Sequence, residues 1–218
     1  MERTTGPGDK TVIQSYFNRK AEIWDENFDE RDSTKLNGML RQINIGAGWR
    51  VLDVGTGTGI LIPYLIDKVG DKGRLVCLDS AGKMLEKARQ KNFKGHIDYV
   101  CCDINCSGLA DESFDAVVCY SSFPHFHDKY RALKEIHRLL RYGHSLYICH
   151  TSSRSSINKI HRQVPELAGD LIPPKTKMLH LLLSSGFEKI EIREETSSYF
   201  AKADKGSTAD IHNSAMQQ

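Results

Sequence analysis

Two carboxylates and a run of glycines in the first half of the chain have the types and spacing needed to bind a polar ligand. Asp53 stands two residues before Gly55, which is followed by Gly57 and Gly59, and Asp79 comes about twenty residues after that turn. Glycine has no side chain to hold a ligand away, so the backbone N–H groups of such a turn can bind it. A carboxylate beside the turn repels a pyrophosphate but accepts hydrogen bonds from an ammonium group. The pattern therefore favours a nucleoside that carries an amino acid.

Two further positions distinguish this pattern from that of dinucleotide-binding proteins. A dinucleotide fingerprint needs a third glycine three residues after the second, and Ile60 occupies that position. Asp79 ends a predicted strand, where its carboxylate can accept hydrogen bonds from both ribose hydroxyls. The alternative role for Asp79 is a favourable negative charge at the N-terminus of the following helix. The interval from the glycines favours the ribose role.

Four histidines in the second half of the chain are candidates for proton transfer or metal binding. His125 and His127 follow one predicted strand, His150 ends the next, and His161 lies on a short helix beyond it. Neighbouring strands of a doubly wound sheet end at the same edge, so these imidazoles can converge. Three interpretations stay open: a general base, a metal site, and polar groups that line a pocket. The predicted catalytic residues are His125 and His150, and no metal is predicted because no closely spaced ligand motif is present.

Segments of strand character alternate with helical ones and place these residues at their ends. Apolar, β-branched runs predict buried strands, and apolar positions at helical spacing predict the helices between them. A strand, a tight glycine turn and a helix form a βα unit, which indicates an α/β domain. The predicted strands are 50–54, 74–79, 97–102, 113–120, 145–150 and 187–193, with 199–203 as a hairpin partner of the last.

Capping residues predict where several helices begin and end. Ser33 can cap a helix whose apolar positions follow it, and Ser80 can cap the helix after the second strand. Gly143 can end the helix that starts at Lys129.

Three motifs resemble those of the class I S-adenosylmethionine-dependent methyltransferases. They are the D-x-G-x-G-x-G motif at residues 53–59, the S-F-D-x-V segment at 113–117, and a turn of the L-(K/R)-P-G-G type. In that turn Tyr142 replaces the usual proline and His144 the usual second glycine. Residues 16–25, with aromatic residues, an alanine and a Trp-Asp pair, resemble the start of the ubiquinone/menaquinone-biosynthesis type. The resemblance covers residues 16–203 and is strongest over 53–115.

The resemblance implies a fold, a cofactor and the residues that bind it. The implied fold is a doubly wound, Rossmann-like α/β domain, with a mostly parallel seven-stranded sheet, helices on both faces and an antiparallel C-terminal hairpin. The implied cofactor is S-adenosylmethionine, with Asp79 on the ribose and Asp103 on the adenine amino group. The predicted cofactor-binding residues are Tyr16, Asp53, Gly55, Thr56, Gly57, Gly59, Asp79, Ser80, Met84, Asp103, Ile104 and Tyr120.

The chain is predicted to form one domain at residues 11–203, between a flexible N-terminus at 1–10 and a disordered polar tail at 204–218. Residues 11–45 are predicted cap helices, and by the resemblance 151–174 is an insertion that builds acceptor specificity. The apolar stripe Ile13, Phe17, Ala21 and Trp24 is either a core-packing stripe or a lid over the cofactor.

Composition narrows the class of protein. A chain of 218 residues with 39% hydrophobic and 27% charged residues is typical of one globular domain. A net charge of +2 does not favour a nucleic-acid or anionic-membrane partner. No apolar run has membrane-spanning length and no signal peptide is evident, so we expect a cytoplasmic protein. Cys77, Cys101, Cys119 and Cys149 lie in apolar runs and are expected to be buried and reduced.

Three functions are compatible with these features. The favoured one is a methyltransferase that acts on a small-molecule acceptor, as a monomer or homodimer. An RNA or protein methyltransferase is less favoured, because the chain has no N-P-P-Y-type tetrapeptide and no basic surplus. The third is a module that binds the cofactor without catalysis, since a binding motif does not prove turnover.

Overall fold

The computed structural model describes residues 10–27 and 30–206. Short 3-10 turns follow some of the strands and helices. The helices are α1 (Lys10–Lys20), α2 (Glu30–Leu40), α3 (Ile62–Val69), α4 (Gly82–Gln90), α5 (Lys129–Leu139), α6 (Arg154–Gln163) and α7 (Lys175–Ser184). The strands are β1 (Arg50–Val54), β2 (Arg74–Asp79), β3 (Ile97–Cys101), β4 (Phe114–Tyr120), β5 (Leu140–His150), β6 (Glu188–Glu194) and β7 (Tyr199–Asp204).

The seven strands form one sheet in the order β3-β2-β1-β4-β5-β7-β6. The first five strands in chain order pair in parallel, and β7 inserts antiparallel between β5 and β6. The chain order reverses direction at β1 and β4, so the loops after these strands open a crevice at the carboxyl edge of the sheet. The predicted fold, with its antiparallel C-terminal hairpin, is confirmed.

Each face of the sheet is covered by its own apolar core. Successive side chains of a strand point to opposite faces, so Val51 joins one core and Leu52 the other. Both residues are fully buried, as are Val117 and Val118 on β4. A strand that is apolar on both faces is typical of the centre of a parallel sheet, which fixes the carboxyl ends of β1 and β4 in the middle of the molecule.

Two of the predicted helix caps are wrong. Helix α2 begins at Glu30, so Ser33 lies within the helix and not at its N-cap. Helix α4 begins after Ala81, which provides no side-chain cap, and the carboxylate of Asp79 accepts the Ala81 N–H at 2.8 Å. A carboxylate two residues before the N-cap therefore takes the place that the sequence assigned to the Ser80 hydroxyl.

The predicted end of α5 at Gly143 is also wrong. The helix ends at Leu139, and β5 starts at Leu140, which pairs with Phe114 of β4. Gly143 lies inside the strand at a φ of 79°, and its N–H donates to the carbonyls of Lys205 and Gly206. The two leucines are both fully buried, so burial draws this segment into the sheet before the glycine can end the helix.

The cysteines agree in part with the sequence prediction, and much of both chain ends lies outside the described residues. All six thiols are free; Cys77, Cys119 and Cys149 are buried, but Cys101 is exposed because it ends the edge strand β3. Lys205 is buried after β7, and its Nζ donates to the Leu140 carbonyl at 2.9 Å. The predicted loose N-terminus up to residue 9, and the tail after 206, lie outside the described residues. No helix within the described ranges has the length and apolarity to cross a membrane.

Candidate active site

A cavity of about 680 Å³ opens at the carboxyl edge of the sheet. Its wall is formed by α1, the glycine turn after β1, the ends of β2 and β3, and the segment after β4. The predicted cofactor-binding residues that line it are Tyr16, Asp53, Gly55, Thr56, Gly57, Asp79, Ser80, Met84, Asp103, Ile104 and Tyr120. Residues far apart in sequence thus meet at one edge, as parallel strands require.

Gly59 is the predicted cofactor residue that does not line the cavity wall. A Cβ built at Gly59 would lie 2.8 Å from Ile62 Cδ1 and 3.0 Å from Phe93 Cε2. Its φ of 85° also disfavours any side chain. The third glycine of the turn therefore allows the chain to pack against α3 and α4 and lies outside the cavity lining.

Gly55 and Gly57, the first two glycines of the turn, lack a side chain for different physical reasons. A Cβ at Gly55 would lie 2.4 Å from the Cβ of Ser122, so this position must be bare for β1 and the segment after β4 to meet. A Cβ at Gly57 would meet nothing within 4 Å, because the space beside it is the cavity. The Gly57 N–H donates to Asp79 at 2.9 Å, and both glycines have positive φ.

Asp79 is held at the end of β2 with both carboxylate oxygens oriented. One oxygen accepts the Ala81 N–H at 2.8 Å and the other the Gly57 N–H at 2.9 Å. Burial raises its pKa from 3.8 to about 6, against the lowering effect of these backbone hydrogen bonds. A carboxylate has about four acceptor positions, so Asp79 keeps acceptor capacity for further donors such as ribose hydroxyls.

Asp53 lies deeper in the wall and is 1% exposed. Its carboxylate accepts a hydrogen bond of 2.5 Å from the Thr56 hydroxyl. Burial, which is the largest cause, and the nearby charge of Asp79 raise its pKa to about 7, although the Thr56 hydrogen bond lowers it. A cationic group in the cavity would favour the ionised form, so this end of the site suits an ammonium group.

Asp103 and His127 form a polar group at the other end of the cavity. Asp103 caps the short 3-10 helix Ile104–Cys106, and its carboxylate accepts hydrogen bonds of 2.9 Å from the backbone and side-chain nitrogens of Asn105. The same Asn105 amide lies 3.2 Å from His127 Nδ1. His127 is therefore paired here and stands apart from the other three candidate histidines.

The N-terminal segment closes the cavity from above. Tyr16, Phe17 and Trp24 line it, with the Phe17 and Trp24 rings edge to face at 5.4 Å between centroids. Ile13 also lines the cavity, whereas Ala21 is buried against Ala81 and Met84. The apolar stripe is thus both a lid and a packing surface, although the chain changes from α-helix to a 3-10 helix at Ala21.

Sequence reasoning missed two polar contacts of this lid. The Thr58 hydroxyl donates to Asp25 at 2.5 Å, and the Gln14 side chain donates to the Ser80 carbonyl at 2.6 Å. The first contact joins the N-terminal segment to the glycine turn, and the second joins it to the residue that follows β2. The Trp-Asp pair of the sequence contained Asp25, but nothing in its spacing indicated Thr58 as the partner.

A second, smaller cavity of about 180 Å³ adjoins the first and brings three of the four candidate histidines together. His125 lies in the walls of both cavities, and His150 and His161 line the smaller one. The His125 and His161 ring centroids are 4.9 Å apart. The remaining lining residues are uncharged: Trp24, Ser121, Thr151, Ser152 and Ile157.

His125 is paired with a buried carboxylate that the sequence did not reveal. Its Nδ1 lies 2.8 Å from a carboxylate oxygen of Asp170, which is 3% exposed. Burial lowers the pKa of His125 more strongly than Asp170 raises it, so the ring is neutral at neutral pH. An ionised carboxylate only accepts, so Nδ1 carries the proton and Nε2 keeps a lone pair. The sequence separation of 45 between the two residues explains why no spacing pattern indicated Asp170.

The other two imidazoles differ in their partners. His161 Nδ1 donates to the backbone carbonyl of Asp170, which also leaves its Nε2 with a lone pair. His150 is 2% exposed, and its Nε2 has no hydrogen-bond partner in the described part of the chain. Burial, followed by the charges that His125 and His161 can carry, lowers the pKa of His150 to about 3. Across residues 10–27 and 30–206, no set of three or more His, Cys, Asp or Glu side chains has the arrangement of a metal site.

Comparison with known proteins gives a consistent result. Residues 52–148 match a family model described as a methyltransferase domain. A malonyl-[acyl-carrier protein] O-methyltransferase of Acetivibrio thermocellus is 30% identical over 122 residues, which are 55% of this chain and 42% of that protein. A ubiquinone/menaquinone biosynthesis C-methyltransferase of a Shewanella species is 30% identical over 132 residues, which are 59% of this chain and 52% of that protein. The chain therefore spans about half the length of these curated relatives.

A solved structure shares the fold. The phosphoethanolamine N-methyltransferase 2 of Haemonchus contortus, in complex with S-adenosyl-L-methionine, superposes with a TM-score of 0.75. The match covers 95% of this chain and 62% of that one, at 14% sequence identity. At this identity the likeness extends to the fold alone.

Proposed function

We propose that this chain, whose residues 52–148 match a methyltransferase-domain model, is a class I S-adenosylmethionine-dependent methyltransferase that methylates a small-molecule acceptor. One observation carries the proposal. His125 lies in the wall shared by the cavity of the predicted cofactor residues and a smaller cavity without charged lining residues. A cofactor and an acceptor can therefore meet at an imidazole.

The residues of the larger cavity fit S-adenosylmethionine. The free acceptor positions of Asp79 suit the ribose hydroxyls, and buried Asp53 suits the ammonium end of the amino acid. Asp103 and Ile104 would hold the adenine, and the open space beside Gly57 lets the ligand reach the backbone. When bound, the group supplies a sulfonium-activated methyl.

The protein's own task in such a transfer is positioning and dehydration. A displacement at carbon needs the nucleophile held close and in line, which the wall at His125 shared by the two cavities can provide. Phe17, whose ring lies 4.8 Å from that of His125 between centroids, and Trp24, which lines both cavities, place apolar surface beside His125 and so leave less room for water there. Because positive charge is lost from the sulfur as the methyl leaves, apolar walls do not oppose the reaction.

His125 is proposed as the general base. Its Nε2 lone pair can take the proton of the acceptor, and the Asp170 carboxylate 2.8 Å from Nδ1 stabilises the imidazolium that forms. Asp170 acts through His125 and is a positioning residue. The lowered pKa of His125 keeps the ring unprotonated and ready for this role at neutral pH.

The alternatives differ in what they place in the smaller cavity. A cavity of about 180 Å³ has room for a small molecule, whereas an RNA base or a protein side chain must also bring its backbone past the lid. A module that only binds the cofactor would not need a buried His–Asp pair beside it. The first alternative predicts transfer of the methyl group to RNA or protein, and the second predicts no transfer.

Following a labelled methyl group tests the proposal. Purified protein is incubated with methyl-labelled S-adenosylmethionine and, separately, with low-molecular-weight, RNA and protein fractions of a cell extract. We expect label in a low-molecular-weight product and an equal amount of S-adenosylhomocysteine, both lost in His125→Ala. Label in RNA or protein alone would overturn the small-molecule assignment, and bound cofactor without any transfer would favour the non-catalytic alternative.

A further inference from the structure

The smaller cavity is polar but has no charge to offer an acceptor. Asp170 lies behind His125 and is already bonded to it, and the Lys129 ammonium donates to the carbonyls of Pro124 and Phe126. A carboxylate or ammonium group that entered would lose its water without gaining an ionic partner, which is strongly unfavourable. The cavity therefore selects against charged reacting groups.

His150 is the unexplained group of this cavity. It is 2% exposed, it lines the cavity, and its Nε2 has no hydrogen-bond partner among the residues that the structure describes. Buried polar atoms are nearly always hydrogen-bonded, and an imidazole nitrogen without a partner is destabilising. Its position in the wall indicates that a ligand supplies the missing hydrogen bond.

The other imidazoles indicate what that ligand must donate. His125 and His161 each use Nδ1–H within the protein, which leaves each Nε2 with a lone pair. A hydroxyl can donate to one imidazole and accept from another, and it carries no charge. Trp24 and Ile157 supply apolar lining suited to a flat ring.

Resting on the proposed function, we propose that the smaller cavity is the acceptor subsite, that its acceptor class is a neutral phenol, and that His150 recognises the hydroxyl. The hydroxyl donates to His125 Nε2 and accepts from His150 Nε2–H. His150 is then a specificity-determining residue and not a second base.

The proposed step is balanced in atoms and electrons. The hydroxyl proton moves to His125 Nε2, and an electron pair of the phenol oxygen forms the new bond to the methyl carbon. The carbon–sulfur bond breaks with its electron pair on sulfur, which gives a methyl ether and S-adenosylhomocysteine. The proton on His125, paired with Asp170, passes to water when the products leave.

Binding to a matched ring series tests the inference without relying on turnover. The full chain is first titrated with S-adenosylhomocysteine, and the saturated protein is then titrated calorimetrically with 4-methylphenol, 4-methylbenzoate, 4-methylbenzylamine and toluene. We expect 4-methylphenol to bind at least about tenfold more tightly than the other three, which is the order of one good hydrogen bond.

Variants of the wall assign the preference to His150. We expect His150→Phe to lose about tenfold in 4-methylphenol affinity and His150→Gln, whose amide can still hydrogen-bond, to recover part of it. Tyr199→Phe is the control, because it removes a different buried polar group, a hydroxyl without a partner among the described residues, close to His150 but outside the cavity lining. The S-adenosylhomocysteine affinity and the melting temperature are measured for every variant to check that the fold is retained.

The outcomes separate the inference from the proposed function. Equal or tighter binding of the ammonium or carboxylate ring, or an unchanged 4-methylphenol affinity in folded His150→Phe, would overturn the phenol assignment while cofactor binding stands. Absence of S-adenosylhomocysteine binding by the parent protein would instead overturn the proposed function on which the inference rests.

Discussion

Asp170 controls the protonation state of His125 from a position that substrate does not reach. The carboxylate raises the pKa of His125, but burial lowers it more, so the pKa lies below the ordinary 6.5. A base works when it is unprotonated, so we predict that kcat/KM falls only below pH 6.5. In Asp170→Asn the pKa should fall further, moving this acid limb to lower pH, while kcat at pH 8 drops about tenfold or more because the ring tautomer is no longer fixed.

A pH–rate profile of both proteins checks this prediction. Asp98→Asn is the control, because Asp98 is a carboxylate paired with Arg74 near the amino ends of β2 and β3, whereas this site lies at the carboxyl ends of β4 and β5. An acid limb that stays in place in Asp170→Asn would show that the pair is merely structural.

The second prediction concerns His125 itself. Removing a general base typically costs about 10²–10⁴-fold in rate, so His125→Ala should lose turnover by that factor. S-adenosylmethionine affinity should be unchanged, because His125 stands at the acceptor end of the larger cavity. Kinetics and calorimetry of His125→Ala are compared with His180→Ala, which removes an exposed imidazole on α7. Full turnover in His125→Ala would exclude the base role.

The third prediction concerns Asp79. Asp79→Ala should weaken S-adenosylmethionine binding by about 1.5–3 kcal/mol, the range for hydrogen bonds to a charged group. Asp103→Asn should lose less, because its amide oxygen still accepts hydrogen bonds. Calorimetric titration measures both values. An Asp79→Ala variant that binds as tightly as the parent would refute the ribose assignment.

Single residues differ in how well the sequence predicted them. Asp79 and Asp53 were found because they stand at fixed intervals from glycines, and the structure places both in the cavity wall. The convergence of His125, His150 and His161 was expected from strand ends, but His127 instead contacts Asn105. Asp170 could not be predicted from the sequence. It lies in the predicted insertion, 45 residues from His125, and no periodic pattern connects the two positions.

At the scale of the element, the glycine turn gives the fourth prediction. Gly57→Val should abolish detectable cofactor binding, because its side chain would occupy the open space of the cavity at a φ of 57°. Gly55→Ala should instead destabilise the fold by about 1–3 kcal/mol, because its Cβ would overlap Ser122.

Melting temperature and calorimetric titration of the two variants separate these effects. The expected pattern is a folded Gly57→Val that does not bind and a Gly55→Ala with a lowered melting temperature. If Gly57→Val bound the cofactor as the parent does, the close approach of ligand to backbone would be disproved.

Elements were predicted where one local pattern determines them. The apolar runs fixed the strands to within a few residues, except that β5 begins at Leu140 and not at 145. The predicted caps at Ser80 and Gly143 failed because propensity for a cap is weak beside a competing carboxylate or the burial of neighbouring leucines, and Ser33 is no cap because α2 already begins at Glu30.

At the scale of the whole molecule, the buried Asp53 gives stability a pH dependence, which is the fifth prediction. Its pKa is raised in the fold from 3.8 to about 7, so the stability it contributes is full below pH 3.8 and is lost as pH rises through 7. Asp53→Asn keeps an acceptor for Thr56 but cannot ionise. Without cofactor, this variant should melt near the parent at pH 4 and at least about 3 °C higher at pH 8, roughly the effect of 1 kcal/mol in a domain of this size.

Thermal melting from pH 4 to pH 8 checks that linkage. Asp111→Asn, an exposed carboxylate, serves as the control. A parent and Asp53→Asn that melt in parallel over the whole range would show that the Asp53 pKa is not raised in the fold.

The overall architecture was the most predictable property of the chain. Alternating strands and helices leave few ways to bury both faces of a parallel sheet, and the family motifs supplied the order of the last strands. The acceptor side was less predictable, because the smaller cavity is built from the ends of β4 and β5, the lid and α6, and no single segment encodes it.

A crystal structure with S-adenosylhomocysteine bound tests the central claim most directly. The account predicts the ribose hydroxyls within about 3 Å of the Asp79 carboxylate, the ammonium group at Asp53, and the sulfur facing His125 at the entrance to the smaller cavity. A nucleoside bound elsewhere, or one whose sulfur faces away from His125, would contradict it.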